Sequence, residues 1–188
     1  MNYDKITKDF ELIIKLNKQF NMETEMWRKI QGYPNYSVST CGRVRNDTTN
    51  RILKNRTHKD GYYTVGLWKN SKVKNFLIHR LVSLAFKPNP DNKPFVDHID
   101  NSKGNNHIDN LRWVTKSENG MNVRVQKNNT SGTKGVTWHK QMKKWCAEIR
   151  HNKKKIHIGY YDNIEDAIEA RKDKAKQLFG EYMNNCEK

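Results

Sequence analysis

The stretch at residues 96–122 constrains the fold of this chain more than any other part of the sequence, and it reads VDHIDNSKGNNHIDNLRWVTKSENGMN. Short apolar runs at 95–96 and 111–114 predict two strands that are separated by a polar loop. The sequence TKSE at 115–118 is a capping box, which predicts that a helix begins there. The predicted order is therefore strand, polar loop, strand and helix.

This order brings an acid, an imidazole and an amide to one place. Asp97 and His98 lie at the end of the first predicted strand, and Asn119 lies in the first turn of the predicted helix, where it can face them. Carboxylate and amide oxygens suit Mg²⁺ or Mn²⁺, which leave coordination positions open for a phosphate. A neutral imidazole with an ordinary pKa of about 6.5 can remove a proton from water beside such a metal. The pattern indicates metal-dependent hydrolysis of phosphodiester bonds.

The same residues resemble the HNH nucleases, specifically the phage and intron-encoded homing endonucleases, whose motif runs roughly DHxDxxxxNNxxxNLxWVTxxEN. The resemblance implies a ββα-metal fold in which Asp97 and Asn119 bind the metal and His98 is the general base. It also implies that Asn110 holds the loop so that the histidine is correctly aimed. Many HNH nucleases have histidine where this chain has Asn119, and the asparagine oxygen favours a hard cation over zinc.

The charge of the chain favours a polyanionic partner. The sequence contains 36 Lys and Arg against 20 Asp and Glu, for a formal net charge of +16. Each phosphate that a basic side chain neutralises releases condensed counterions, which favours binding to nucleic acid. Charge alone equally allows a membrane surface or RNA, although no recognisable RNA-binding module is present. Together with the HNH resemblance, the charge indicates double-stranded DNA as the partner.

Composition also bounds the cores and the compartment. A hydrophobic content of 35% and a mean hydropathy of -1.04 favour two or three small modules over one large core. No segment approaches the roughly 18 apolar residues that span a bilayer, and the start of the chain lacks the apolar core of a signal peptide. Cys41, Cys146 and Cys186 form neither a disulfide framework nor a CxxC zinc pair. We expect no membrane partner and an intracellular location, in the host cytoplasm if the source is viral or bacterial.

Residues 25–75, here called the upstream module, read as short strands punctuated by glycine and asparagine turns. The module resembles the NUMOD-four element that precedes HNH domains in homing endonucleases, and the resemblance implies an accessory role in DNA contact. It depends on residues spread from 27 to 44, namely Trp27, Ile30, Gly32, Tyr33, Tyr36, Ser39, Gly42, Arg43 and Val44. The alternative to phosphate contact by this module is a solvated basic face. The predicted phosphate contacts are Arg43, Arg45, Arg51, Lys54 and Arg56.

Residues 134–183, here called the C-terminal module, predict three strands at 135–139, 145–151 and 155–160, followed by a helix at 164–179. Asn163 is a suitable N-cap for that helix. The module resembles the AP-two/ethylene-response-factor DNA-binding domain, in which a three-stranded sheet lies in the major groove. The resemblance depends on the KGV and AEIR sequences, on two tryptophans and on an alanine-rich helix.

Six residues of the C-terminal module are predicted to contact DNA on the strength of that resemblance. The tryptophans have a second interpretation, which is packing in the module's own core. Lysine is a point charge that suits phosphate better than base edges, so the lysine-rich turn at 153–155 argues against strong site specificity from this module alone. The predicted contacts are Lys134, Trp138, Lys144, Trp145, Arg150 and His157.

The expected architecture is α+β and modular, with a ββα-metal nuclease core and a C-terminal three-stranded sheet plus helix. Its parts are an N-terminal helix at 1–24, the upstream module at 25–75, the HNH segment at 76–126, a linker at 127–133 and the C-terminal module at 134–183. Because the motif ends by residue 122, removal of residues 130–188 is expected to leave a folded nuclease with intact chemistry and with weaker, less selective DNA binding.

These observations predict a site-recognising DNA endonuclease of the homing type, with one divalent metal, Mg²⁺ or Mn²⁺, in each active site. The alternative is a non-enzymatic, sequence-specific DNA-binding regulator that retains an inactive HNH fold. The sequence shows no protein partner, and it leaves open whether the chain is a monomer or a dimer and whether it nicks or breaks both strands.

Overall fold

A computed structural model describes residues 25–126 and 128–184, so the helix expected at 1–24 lies outside the described residues. The helices are α1 (Ile78–Phe86), α2 (Lys116–Met121) and α3 (Ile164–Phe179), and single 3₁₀ turns lie at Ile108–Asn110 and Gly180–Tyr182. The strands are β1 (Trp27–Ile30), β2 (Tyr33–Ser39), β3 (Val44–Asn46), β4 (Arg51–Ile52), β5 (Arg56–Thr57), β6 (Tyr63–Lys69), β7 (Lys72–Leu77), β8 (Phe95–His98), β9 (Leu111–Val114), β10 (Val136–His139), β11 (Lys144–His151) and β12 (Lys154–Tyr161).

The strands form four small antiparallel sheets, which confirms the α+β, modular fold. Their strand orders are β1-β2-β3-β4, β5-β6-β7, β8-β9 and β10-β11-β12. The predicted strand, loop, strand and helix are β8, the polar loop, β9 and α2. Thr115 and Glu118 make both hydrogen bonds of the capping box at the start of α2. In the β8-β9 pair, Asp97 lies opposite Arg112, and this register fixes the neighbour of the predicted metal ligand.

One hydrophobic core joins the upstream module to the HNH segment. Helix α1 contributes the fully buried Ile78 and Val82, which pack with Val38 and Leu67 of the upstream sheets and with Leu111 of β9. Burial of each such side chain contributes about 1.5–3 kcal/mol, so the shared core ties the two segments together. Composition suggested separate small cores, but the apolar face of α1 is covered from both sides and no core boundary falls at residue 75.

The C-terminal module has the predicted three strands and helix, with α3 packed across β10, β11 and β12. The predicted N-cap bond is absent, because the Asn163 side chain points to Asp166 instead. Met121, at the end of α2, is buried with Ile149 and Phe179 of the C-terminal module. The segment predicted as a linker therefore connects modules that also share apolar contacts.

Two features bear on the expectations from composition. The cysteines that the structure describes are both free thiols, with Cys41 exposed and Cys146 buried, while Cys186 lies outside the described residues. Among the described helices, none combines the length and the apolar character that a membrane crossing requires.

Candidate active site

The end of β8, the polar loop and α2 surround an open pocket of about 440 Å³. Asp97, His98 and Asn119 all line this pocket, as their spacing predicts. The other lining side chains include two cations, Lys103 and Arg124. An acid, an imidazole, an amide and two basic groups thus lie around a space that is open to solvent.

Asp97 is buried and held in one orientation. Its Oδ2 accepts hydrogen bonds from Arg112 Nε at 3.0 Å, from Arg112 Nη2 at 2.8 Å and from Asn122 Nδ2 at 2.9 Å. The charged, two-pronged bond to the guanidinium is of the strong kind. Oδ1 accepts no hydrogen bond from any residue that the structure describes. One carboxylate oxygen is therefore fixed in the protein while the other remains available to a ligand.

His98 is 5% exposed, and its Nε2 lies 3.1 Å from Asn106 Oδ1. The Asn106 amide is oriented by a second bond, in which Nδ2 donates to the Gly104 carbonyl at 3.3 Å. An amide oxygen accepts, so the hydrogen of the neutral imidazole is assigned to Nε2 and the lone pair to Nδ1. Burial lowers the pKa of His98, against the Asn106 bond and the charges of Asp100 and Asp97. These features favour a neutral ring with Nδ1 as a proton acceptor.

Asn106 is itself supported by the upstream module. Gly42 has φ +76°, and a Cβ added there would lie 2.7 Å from Asn106 Cβ. The Thr40 carbonyl next to it accepts a hydrogen bond from Ile108 N at 2.8 Å. Only glycine adopts this backbone conformation freely and leaves room for the loop. Asn106 is the second of two adjacent asparagines at 105–106, but nothing in the local sequence pattern predicts its contact with His98.

Asn110 holds the loop rather than the imidazole. Its Nδ2 donates to Asp100 Oδ1 at 2.8 Å and to the Asn105 carbonyl at 2.9 Å, and its Oδ1 accepts from Asp100 N at 3.0 Å. These bonds tie the two ends of the loop together directly after β8. The geometry supports the loop-holding role that the HNH resemblance implies, while direct contact with His98 is made by Asn106.

Asn119 and Asn122 lie on the same side of the helix but have different surroundings. Asn119 is exposed in the pocket, and its amide has no hydrogen-bond partner within the described ranges. Asn122 is 2% exposed, and besides Asp97 its Nδ2 donates to the His98 carbonyl at 3.0 Å. Sequence reasoning missed Asn122, although its position three residues after Asn119 places both on the same side of the helix.

The end of the C-terminal module completes this network. Asn184 Nδ2 donates to the Asn122 carbonyl at 2.7 Å and to Asn122 Oδ1 at 3.0 Å. Arg112 Nη1 donates to the Glu181 carbonyl at 2.7 Å, and the guanidinium lies over the Tyr182 ring at 4.7 Å. Both residues that hold Asp97 are therefore held in turn by residues 181–184. This contradicts the expectation that residues 130–188 can be removed without affecting the chemistry.

The donor atoms of the pocket fit a hard divalent cation. Asp97 Oδ1 and the Asn119 amide are oxygen donors without competing hydrogen bonds from residues 25–126 and 128–184, and the open pocket has room for water and a phosphate. Mg²⁺ and Mn²⁺ take ligands of this kind and keep several waters. Neither of the two cysteines in the described part of the chain lines the pocket, so the described ligands lack the sulfur that characterises many structural zinc sites.

Two of the arginines predicted to contact DNA in the upstream module are paired with acids. Arg43 forms an ion pair with Glu25, and Arg45 Nε lies 3.0 Å from Asp47 Oδ1. Both guanidinium groups also lie over the Trp27 ring. Their charge is partly compensated, so their contact with phosphate stays a prediction.

The six residues predicted to contact DNA in the C-terminal module lie in different surroundings. Lys134 Nζ donates to the Val123 carbonyl at 2.6 Å, and Lys144 Nζ lies 3.2 Å from Asp162 Oδ1. Trp138 and Trp145 contact each other, and Trp145 packs into the core beneath α3. Arg150 and His157 are exposed on neighbouring strands. The structure thus brings Arg150 and His157 to one accessible surface and turns Trp145 toward the module's core.

A second histidine, His79, is buried against the ring of His98. Its lowered pKa predicts that the stability of the fold depends on pH. Burial, together with the neighbouring charges of His98 and Arg80, lowers the pKa of His79 to about 4, from about 6.5 when unfolded. As the pH falls, His79 is protonated in the unfolded chain before it is protonated in the folded protein. The contribution of neutral His79 to the free energy of unfolding is therefore present above pH 6.5 and is lost as the pH falls toward 4. The loss is on the order of 2–4 kcal/mol, because one pKa unit corresponds to about 1.4 kcal/mol.

Urea unfolding at a series of pH values would measure this loss. His79→Phe keeps an aromatic ring and removes the titrating group, whose buried Nδ1 has no hydrogen-bond partner among the residues that the structure describes. We expect a shallower fall in unfolding free energy between pH 6.5 and 4 than in the unmodified protein. His58→Gln, at an exposed histidine, should retain the full slope. Equal slopes in the His79→Phe and unmodified proteins would contradict the assignment.

The strand, loop, strand and helix with their clustered acid, imidazole and amides define the ββα type of nucleolytic site, and comparison with known proteins agrees. The HNH endonuclease family model matches residues 76–121, and the NUMOD4 motif matches residues 25–68. The chain is 36% identical over 153 residues to the DNA endonuclease I-HmuI of Bacillus phage SP01. The aligned residues are 81% of this chain and 82% of that protein. The chain belongs to the HNH endonuclease family.

Two further similarities cover less. The uncharacterized HNH endonuclease L245 of Acanthamoeba polyphaga mimivirus is 38% identical over 107 residues, which are 57% of this chain and 32% of that protein. The solved structure of the HNH homing endonuclease I-HmuI, described for DNA binding and cleavage, matches with a TM-score of 0.47 and 41% identity, over 50% of this chain and 55% of that chain.

Proposed function

We propose that this protein is a site-recognising DNA endonuclease that hydrolyses phosphodiester bonds with one divalent metal, Mg²⁺ or Mn²⁺, in each active site. The observation that carries the proposal is the pairing of His98 and Asp97 in one open pocket. The lone pair of His98 is assigned to Nδ1, and Oδ1 of Asp97 accepts no hydrogen bond from the described residues. A general base without a nearby metal ligand, or a metal ligand without a nearby general base, would not support this chemistry.

The side chains of the pocket have distinct roles in the proposed reaction. Asp97 and Asn119 would hold the metal, which when bound supplies positive charge to the phosphate and its leaving oxygen. His98 removes a proton from the attacking water through Nδ1, and Asn106 keeps the ring in the required tautomer. Lys103 and Arg124 line the same pocket and present cations to the DNA backbone.

Basic surfaces outside the pocket support duplex DNA as the substrate. A wide cleft in the upstream module, about 710 Å³, is lined by Arg51, Lys54 and Arg56 together with the Trp68 side chain. Trp68 is 62% exposed, which is unusual for a large apolar ring. Cations beside an exposed aromatic ring suit contact with a polyanion that also offers flat apolar groups.

Incubation of the purified full chain with supercoiled plasmid or fragmented host DNA tests the proposal. Cleavage is expected with Mg²⁺ or Mn²⁺ and should stop when a chelator is added, and mapped ends should carry 3′-hydroxyl and 5′-phosphate groups. Sequence-selective binding without cleavage under every metal condition would instead support the non-enzymatic DNA-binding regulator. The ratio of nicked to linear plasmid distinguishes single-strand from double-strand cleavage.

The two proposed ligands predict a specific change in metal dependence. Asp97→Ala and Asn119→Ala should each raise the Mg²⁺ concentration needed for half-maximal cleavage or eliminate cleavage, because each removes one oxygen donor. Asn119→Asp and Asn119→His supply replacement ligands and should retain more activity than Asn119→Ala. The measurement is the initial cleavage rate over a Mg²⁺ titration at saturating DNA.

A matched control for this titration is Asn128→Ala, which removes an exposed amide outside the pocket and should leave the Mg²⁺ dependence unchanged. If Asn119→Ala titrates with Mg²⁺ like the unmodified protein, Asn119 is a surface residue of the helix and the proposed ligand set is wrong.

A further inference from the structure

A second group of metal-binding side chains lies in the three-stranded sheet of the C-terminal module, away from the pocket that contains Asp97. Cys146 and Glu148 belong to β11, and His157 belongs to the adjacent β12. Their ligand atoms all lie within 4.8 Å of one another. The register shifts by one residue between Ala147 and Glu148, and this irregularity sets Glu148 directly opposite His157.

The two distances from the sulfur atom of this group match those between the ligands of a tetrahedral zinc ion. Cys146 Sγ lies 3.6 Å from His157 Nδ1 and 3.6 Å from Glu148 Oε1. Zinc binds sulfur at about 2.3 Å, nitrogen at about 2.0–2.1 Å and carboxylate oxygen at about 2.0–2.2 Å, so a sulfur and a nitrogen or oxygen ligand at the tetrahedral angle stand about 3.5–3.7 Å apart. Both distances from Sγ therefore suit a zinc ion, and the nitrogen and oxygen atoms lie within 4.8 Å of each other.

We propose that Cys146, Glu148 and His157 bind one zinc ion, with water in the fourth position. On binding, the Cys146 thiol loses its proton to solvent and forms a sulfur–zinc bond, while His157 donates the lone pair of Nδ1. Thiolate and imidazole are poor ligands for Mg²⁺, so this site and the pocket at Asp97 select different metals.

Neighbouring side chains already orient two of the three ligands. Lys155 Nζ lies 2.6 Å from Glu148 Oε2, which leaves Oε1 directed to Cys146. The His157 ring contacts the Tyr160 ring at 4.6 Å between centroids. Such outer contacts fix the rotamers of metal ligands and commonly change metal affinity by about 10–100-fold when removed. The ligand set is therefore supported in the way that metal sites usually are.

The site would link β11 to β12 on the sheet surface that also carries Arg150. Glu148 is an acid on a strand whose neighbours include exposed cations, and an acid there opposes contact with a phosphate backbone. A bound zinc ion offsets the charges of Glu148 and of the Cys146 thiolate. Zinc is thus expected to stabilise the C-terminal module and to remove an unfavourable charge from its surface.

The competing interpretation is a hydrogen bond from a neutral thiol. Burial and the Glu148 charge raise the pKa of Cys146, so the thiol retains its proton when no metal is present. A proton shared with Glu148 gives the same 3.6 Å separation. The two interpretations differ in whether a thiolate forms when metal is added.

Titration of the chelator-treated full chain with Co²⁺ in excess Mg²⁺ distinguishes them. A cobalt–thiolate bond gives a charge-transfer absorption band that oxygen and nitrogen ligands do not give, so Co²⁺ at Asp97 is silent in this measurement. We expect one equivalent of Co²⁺ to produce the band and one equivalent of Zn²⁺ to abolish it. A zinc-dependent rise in melting temperature should accompany binding.

Variants make the assignment specific. Cys146→Ala should abolish the band, and His157→Ala should weaken Co²⁺ and Zn²⁺ binding at least about 10-fold. The Cys41→Ser and Cys186→Ser double variant, which retains Cys146 as its single cysteine, should keep the band in full, and so should His139→Ala. Circular dichroism of each metal-free variant establishes that it is folded. A folded unmodified protein without the band, or a band that survives in Cys146→Ala, would overturn the proposal.

Discussion

Replacement of His98 by alanine is expected to lower the rate of DNA cleavage by about 10²–10⁴, the usual effect of removing a general base. DNA affinity should change by no more than a few-fold, because the ring is 5% exposed and the basic surfaces lie outside it. The physical reason is the hydrogen bond from Nε2 to Asn106, which leaves Nδ1 as the proton acceptor. Single-turnover cleavage of a labelled duplex at saturating protein measures the rate without a contribution from binding.

The matched control is His107→Ala, which removes a histidine from the same loop. His107 caps the short turn that follows, and its ring lies outside the pocket at Asp97. Cleavage by this variant should stay within a few-fold of the unmodified rate. Mn²⁺ and high pH should be tested in parallel, since either can replace part of a missing base. Near-normal cleavage by His98→Ala in Mg²⁺ at neutral pH would rule out the proposed base.

Ending the chain at residue 126 is expected to abolish cleavage even when DNA is saturating. The truncation removes Asn184 and Glu181, which hold Asn122 and Arg112, and it exposes the buried Met121. Leaving a buried polar group without its partner costs about 1–3 kcal/mol. The two residues that fix Asp97 would therefore lose their orientation together.

Asn184→Ala is the narrower version of this test and keeps both modules. We expect the Mg²⁺ concentration for half-maximal cleavage to rise and the maximal rate to fall, while DNA affinity is unchanged. Asn129→Ala removes an asparagine that bonds within its own turn, and it should alter neither quantity. Full activity of the truncated chain at saturating DNA would show that the contacts at residues 181–184 are dispensable, and the C-terminal module would then be a binding attachment.

The sequence predicts the local order of the site well because that order is encoded locally. The apolar runs of β8 and β9 and the capping box at Thr115 and Glu118 each involve a few adjacent residues. Asn122 and Asn184 could not be found in this way, because their bond joins positions 62 residues apart and has no periodic pattern. The apolar contacts that join the modules are not predictable from the sequence for the same reason, since composition does not show which apolar faces meet.

The predicted DNA contacts depend on which basic groups are already paired with acids, and composition does not show this. A count of lysines and arginines gives the total charge but not the partner of each group. Arg43 and Arg45 lie beside Glu25 and Asp47, and this pairing follows from strand register rather than from composition. Side chains alternate between the two faces of a strand, so the sequence alone does not show which face of the sheet is covered. The position of α3 shows that the face with Trp145 is the covered one.

The close approach of Gly42 to Asn106 has a consequence for how such chains can recombine. An exchange that replaces residues 25–75 with the equivalent segment of a relative must bring a glycine to position 42, or the incoming Cβ displaces the residue that holds His98. Thr40 adds a backbone bond to Ile108 across the same junction. The two segments are therefore expected to exchange as one unit, with functional chimeras when the crossover falls outside this contact.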